Sequence, residues 1–264
     1  MTDGCFMVEN RLIGGGGNRA SNPTRHGHPV GTVVVVYIAV QANPLFVHYA
    51  SQFVDSYKLF EGGGKHQLIV CCNGGELNHR MKPIFDGIDC KFSVRPYDDG
   101  WDISAYQDVA RNSECDLLVC FGESVRFHRA GWLNRLVDSA TEYGEGMYGC
   151  LSSHAIRAHL NTTAFAVSPR FLKQYPPVTN KGERYAFEHG PNSLWRRIKA
   201  SGKEARLVTW DGCWAPGEWR TPQDILWRGT QRNCLIACNH TDNFSGKDET
   251  TRRNWAGRAD APFK

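Results

Sequence analysis

The chain has 264 residues, of which 22% are charged and 41% hydrophobic, and carries a formal net charge of +4. This excludes a disordered or fibrous chain and leaves room for a sizeable core in one large domain or two small ones. The charge is too small to mark a nucleic-acid binder by itself, but it suits small anionic ligands.

No apolar run approaches the roughly 18–20 residues of a membrane span. The amino terminus lacks an apolar signal core, so a cytoplasmic protein is expected. The 10 cysteines include no Cys-x-x-Cys pair, and several lie in apolar runs, which reads as buried free thiols. Cys234-x-x-x-Cys238 with His240 is a weak zinc pattern without an evident fourth ligand.

Met1 to Val30 is rich in Gly, Asn, Arg and Pro, has no periodicity, and reads as a mobile arm. Thr32 to Val40, TVVVVYIAV, is the strongest strand signal and is taken as the first central strand. Leu45 to Phe60 carries a helical stripe (Phe46, Tyr49, Ala50, Phe53, Tyr57 and Phe60) that Gly62 to Gly64 ends. His66 to Cys72 and Cys90 to Val94 read as strands, with Met81 to Phe85 between them as helix or loop. Ile103, Tyr106, Val109 and Ala110 recur at helical spacing, which predicts a helix over Asp102 to Arg111. Asp116 to Phe121 is a short apolar run typical of a strand buried on both faces.

Gly131 to Tyr143 follows as a helix, Gly144 to Gly149 as a glycine-rich turn, and Gly149 to Ser153 as a strand start. His159 to Val167 runs from polar residues into a strand, and Ser168-Pro169 opens a short helix to Tyr175. Leu194 to Gly202 reads as an amphipathic helix and Ala205 to Trp210 as a strand. Beyond Asp211 the sequence turns polar and Trp-rich. The tryptophans are expected as packing groups, with sugar stacking as the other use of such rings. The βαβαβ order argues for a mostly parallel sheet with helices on both faces. No Gly-x-Gly-x-x-Gly follows the first strand, which argues against a dinucleotide cofactor. The polar loops after Val40, Val94 and Phe121 are expected to line one crevice at the carboxyl ends of the strands.

Three stretches carry a resemblance. Asp99 to Ala110, DGWDISAYQDVA, is similar to the donor-nucleotide segment of GT-A glycosyltransferases, in particular those like family 2. Leu118 to Val125 followed by Gly131-Trp132-Leu133 resembles that family's hydrophobic strand, Asp-x-Asp and Trp-Leu helix. Here Gly122-Glu123-Ser124 stands where the family has Asp-x-Asp, so one carboxylate replaces two. Lys181 to Gly202 resembles the segment carrying the catalytic base of inverting members, with Glu188-His189 in place of the acidic pair.

The resemblance implies an α/β, GT-A-like single domain over residues 31–264. Its donor-binding half would be about 31–130 and its acceptor and catalytic half about 131–264. It implies a glycosyltransferase that moves a sugar from a nucleotide-diphosphate sugar to an acceptor hydroxyl, with inversion. Asp99, Gly100, Asp102, Glu123 and Ala39 would bind the donor. Glu123 and His240 would hold Mg2+ or Mn2+, and Glu188 or His189 would act as general base.

Other readings of these residues remain open. Glu188 is otherwise a carboxylate at a helix amino terminus, and His240 a loop histidine. Asp99 and Asp102 are otherwise a turn residue and a helix N-cap. Arginines such as Arg126 and Arg184 are alternative partners for the phosphates. The acceptor is left open by the sequence, with a saccharide, a lipid-linked saccharide and a modified nucleic-acid base as the alternatives. The competing classes are a non-catalytic carbohydrate- or nucleotide-binding protein and a nucleotidyltransferase, which would want a glycine-rich phosphate loop after the first strand.

Overall fold

The computed structural model describes residues 29–96 and 100–260. The first elements are β1 (Val33–Val40), α1 (Phe46–Leu59), β2 (Gln67–Asn73), α2 (Met81–Ile84), β3 (Cys90–Arg95), α3 (Trp101–Asn112) and β4 (Leu117–Phe121). Then come α4 (Trp132–Tyr143), β5 (Gly146–Gly149), β6 (Ser152–Ser153), β7 (His159–Leu160), β8 (Ala164–Val167), α5 (Pro169–Gln174), α6 (Lys181–His189) and α7 (Leu194–Ala200). The chain closes with β9 (Glu204–Val208), β10 (Cys213–Trp214), α8 (Asn239–Ser245) and α9 (Glu249–Ala259).

Eight strands form one sheet in the order β10-β9-β5-β8-β4-β1-β2-β3. β8 and β10 run against the other six. The fold is mixed α/β, a mostly parallel sheet flanked by helices, as expected. β1 is central because it is apolar on both faces. Val33, Val35, Tyr37 and Ala39 face a layer built from α1 and α4, including Phe53, Trp132 and Leu136. Val34, Val36 and Ile38 face Ile103 and Tyr106 of α3, Leu172 of α5 and Ile198 of α7. Each of the larger side chains contributes about 1.5–3 kcal/mol on burial, which holds β1 at the centre of the sheet between the two helical layers.

Several expected elements shift. The stretch read as a turn over Gly144 to Gly149 contains β5, which pairs with β8 and β9. Lys181 to His189 is a helix of its own. Its start is marked by Asn180, whose side chain accepts from Glu183 N at 3.0 Å, while the Glu183 carboxylate reaches back to Thr179 N at 2.7 Å. That reciprocal cap resembles a capping box. Trp219 and Trp132 are fully buried packing groups, and Trp219 stands 5.1 Å from the Trp195 ring. The arm expected over residues 1–30 lies outside the described residues except Pro29 and Val30. No described helix is long and apolar enough to cross a membrane.

Candidate functional site

β1 sends the chain to β2 on one side, and β4 lies on the other. The strand order therefore reverses between β1 and β4. In open α/β sheets such a switch point opens a crevice at the carboxyl ends of the strands. A cavity of about 260 Å³ lies there. Ile38 and Val40 of β1, Gly122-Glu123-Ser124 after β4, and Thr163 line its base. Trp101 and Asp102 of α3, Arg184 of α6, and Asn239 and His240 of α8 line its sides. The loops after Val40 and Phe121 thus meet as expected, joined by the start of the helix that follows β3.

Asp102 sits in the first turn of α3, where the N-cap is Gly100. This corrects the N-cap reading of Asp102, which instead complements the helix dipole. Its carboxylate accepts from Arg184 Nε at 2.8 Å and Nη2 at 3.3 Å. The guanidinium also lies 5.2 Å from the Trp101 ring centroid. Trp101 has φ +53°, a left-handed conformation that costs a non-glycine residue about 1–3 kcal/mol. It is held there by Asn73 Nδ2 and Ser104 Oγ, which donate to its carbonyl at 2.9 and 3.1 Å. Asn73 is fully buried at the end of β2, so the strained rim of the cavity is anchored in the sheet.

Glu123 is fixed from below. Tyr37 OH donates to its carbonyl at 2.8 Å, and Asn43 Nδ2 to its carboxylate at 2.8 Å. Burial, and then the Glu123 charge, push the Tyr37 phenol well above its usual range. His240 lies 117 residues further along the chain and is carried in by the carboxyl-terminal segment. Arg126 pairs with Ala237 in a β-bridge and with the Asp242 carboxylate through Nη1 at 2.7 Å. Asn239 N donates to Ser124 Oγ at 3.3 Å. Burial lowers the His240 pKa, so the ring is neutral near pH 7. It is a helical residue, which corrects the loop reading.

Glu123 and His240 thus line one cavity. Among the described residues, no third His, Cys or carboxylate joins them within ligand reach. Such a pair fits a divalent cation that takes its remaining ligands from substrate phosphates and water, the usual habit of Mg2+.

Three donor residues fare differently. Ala39 is buried on the opposite face of β1 from Ile38 and Val40, at 1% exposure, and does not reach the cavity. Gly100 is required by packing, since a Cβ there would stand 1.9 Å from the Val178 carbonyl oxygen. Asp99 lies outside the described residues.

Glu188 is not a carboxylate at a helix amino terminus. It lies in the last turn of α6, one turn beyond Arg184, and is 6% exposed. Thr162 Oγ1 donates to its Oε2 at 2.7 Å and Asn161 Nδ2 to its Oε1 at 3.1 Å. His159 Nε2 and His189 Nε2 stand 3.4 and 3.7 Å from the same Oε1. Burial, and then the nearby His159, lower the His189 pKa to about 4. Neither Glu188 nor His189 lines the cavity. His159 and Asn161 were not singled out from the sequence. The polar run before β8 was their signal, since polar side chains leading into a buried strand must find buried partners.

No protein-family model and no curated protein sequence matches the chain. Among solved structures, TarS (residues 1–349) from S. aureus is similar at 10% identity and TM-score 0.48, over 67% of this chain and 57% of that one. The mannosyltransferase PcManGT from Pyrobaculum calidifontis, in complex with GDP-Man and Mn2+, is similar at 9% identity and TM-score 0.43, over 59% of this chain and 50% of that one. HddC from Yersinia pseudotuberculosis is similar at 10% identity and TM-score 0.40, over 59% of this chain and 83% of that one. The chain thus spans about half of the mannosyltransferase and somewhat more of TarS.

Cys234 and Cys238 are buried free thiols in the apolar core, and burial pushes both thiols up. Of the late tryptophans considered for stacking, none lines the cavity, whereas Trp101 does. A larger cavity of about 420 Å³ lies at the opposite edge of β1 and β4. Its Asp116 carboxylate is already committed to the start of β1, accepting from Gly31 N and Thr32 N at 2.9 and 2.7 Å.

Proposed function

We propose that the chain transfers a sugar from a nucleotide-diphosphate sugar to an acceptor hydroxyl, with the donor in the cavity between β1 and β4. The observation that carries this reading is a charged cavity at the switch point of the sheet, bounded by Asp102, Arg184, Glu123 and His240. The reaction class comes from the resemblance of Asp99 to Ala110 and Lys181 to Gly202. Small-molecule sites usually span about 300–1,000 Å³, so a cavity of about 260 Å³ encloses part of such a donor. The reading puts the diphosphate and sugar inside and the nucleoside along the Trp101 rim.

Arg184, turned toward the cavity, faces the phosphates. Glu123 and His240 would hold a divalent cation, which when bound neutralises charge on the leaving diphosphate. A general base must come within about 2.6–3.2 Å of the proton it takes. Both Glu188 oxygens already accept hydrogen bonds, and His189 does not line the cavity. Burial therefore argues for moving these two residues from the base to a supporting position. Inversion at the anomeric carbon rests on the resemblance alone and is read by NMR of the product.

The test is calorimetric titration with UDP, GDP and ADP, with and without Mn2+, followed by assay for sugar release from the matching nucleotide sugars. One nucleotide is expected to bind, and Arg184→Ala is expected to weaken it. No binding by any of them would overturn the proposal. Binding without sugar release or transfer would favour a non-catalytic nucleotide-binding chain.

A further inference from the structure

We infer that His159, Glu188 and His189 form a binding site for one zinc-like divalent cation, separate from the cavity between β1 and β4. The ligand atoms of the three side chains all lie within 4.8 Å of one another. Zinc holds nitrogen and oxygen ligands at about 2.0–2.2 Å in a tetrahedron, which sets neighbouring ligand atoms roughly 3.3–3.6 Å apart. The separations of 3.4 Å (His159 Nε2 to Glu188 Oε1) and 3.7 Å (His189 Nε2 to the same oxygen) are close to that spacing. They are too long for hydrogen bonds, which for N–H···O run about 2.7–3.2 Å.

The orientation of His159 supports the same conclusion. Its Nδ1 lies 2.7 Å from the Arg157 carbonyl oxygen. A carbonyl only accepts, so Nδ1 carries a proton, and Nε2 is the ring atom turned toward the carboxylate. A backbone carbonyl on the far nitrogen is also the usual way a metal-binding histidine is oriented. His189 Nδ1 makes no hydrogen bond among the described residues, so no protein partner fixes that ring's tautomer.

The carboxylate is supported as a ligand should be, by donors from Asn161 and Thr162. These outer contacts fix its orientation. The neighbouring Arg184 charge is offset by Asp102. Two imidazoles and one carboxylate favour zinc over the hard, oxygen-seeking Mg2+ and Ca2+. Three protein ligands leave a fourth position for water. His189, whose side chain is 12% exposed against 5% and 6% for the other two, is the open side.

The test uses the full chain after chelator treatment, titrated with Zn2+ and Co2+. We expect one tight equivalent, a rise in melting temperature with Zn2+, and a Co2+ absorption spectrum of a four- or five-coordinate nitrogen and oxygen site. Glu188→Gln and His189→Asn should each weaken that equivalent by about tenfold or more, with circular dichroism verifying the fold. His189 is the more peripheral of the two, so its variant guards against loss by misfolding. Glu123→Gln should keep the equivalent, because that residue belongs to the other cavity. No tight equivalent, an equivalent that survives both ligand variants, or one that disappears on cysteine alkylation would overturn the inference. Nucleotide binding is measured separately, so failure here leaves the proposed function standing.

Discussion

The Asp102 carboxylate in the first turn of α3 is gripped by Arg184 of α6, 82 residues later, at 2.8 Å. This partly buried pair ties the element after β3 to the segment that follows β8. It also sets one side of the cavity. Asp102 is therefore committed to a protein partner before any ligand arrives, and the group left to meet a phosphate is the guanidinium.

Arg184→Ala removes a charge-assisted hydrogen bond and leaves Asp102 with a side-chain exposure of only 14%. Such bonds are worth about 1.5–3 kcal/mol. A loss of stability of that order is expected in urea denaturation, together with weaker nucleotide binding. A double cycle with Asp102→Asn should show coupling, since the two residues share one interaction. Independent effects would mean that the pair contributes nothing in solution.

Gly100→Ala tests whether this glycine serves packing or ligand. Its φ of −109° suits any residue, so the penalty comes only from the approach of the Val178 carbonyl. Overpacking of this kind costs about 1–3 kcal/mol. Denaturant midpoints should shift accordingly, while nucleotide affinity per folded molecule holds. A stable variant with lost affinity would restore the ligand role.

Glu123→Gln keeps the shape and the Asn43 contact but removes the charge. Mn2+-dependent enhancement of nucleotide binding should fall by about tenfold, roughly 1.4 kcal/mol. Binding without metal should be unchanged. Equal losses with and without Mn2+ would assign Glu123 to shaping the loop rather than to a cation.

Acid should destabilise the chain through His154. Burial, and then the charges of Arg220 and His159, lower its pKa to about 4, against about 6.5 in an unfolded chain. Between those values the unfolded state binds the extra proton, so stability falls as pH falls from about 6.5 to about 4 and is level outside that window. The shift allows at most about 3 kcal/mol. His154→Gln should reduce the slope of that part of the stability–pH curve, to which His189 also contributes, and an unchanged slope would count against a buried neutral imidazole at His154.

Much of the scaffold was legible in the sequence because it rests on local pattern. The unbroken apolar run of β1 announced a strand covered on both faces. The spacing of Ile103, Tyr106 and Val109 announced α3. The order of strands and helices announced a largely parallel sheet with its crevice at the carboxyl edge. The helix at Lys181 carries a local signal as well, the Asn180 and Glu183 cap, but the resemblance points to the helix that follows it and so sets Glu188 at an amino terminus rather than in the last turn of α6.

Tertiary structure alone decided which polar groups meet. Ala39 and Ile38 are neighbours in sequence, yet a strand turns successive side chains to opposite faces, and only Ile38 looks into the cavity. His240 reaches Glu123's cavity because the irregular carboxyl-terminal segment bridges back to Arg126, a pairing that carries no periodic signal. His159 and Glu188 meet because β7 packs beside α6. Hydrophobic periodicity shows which face of an element is buried. It is silent on which buried polar atoms share that space, since that depends on how elements distant in sequence are stacked.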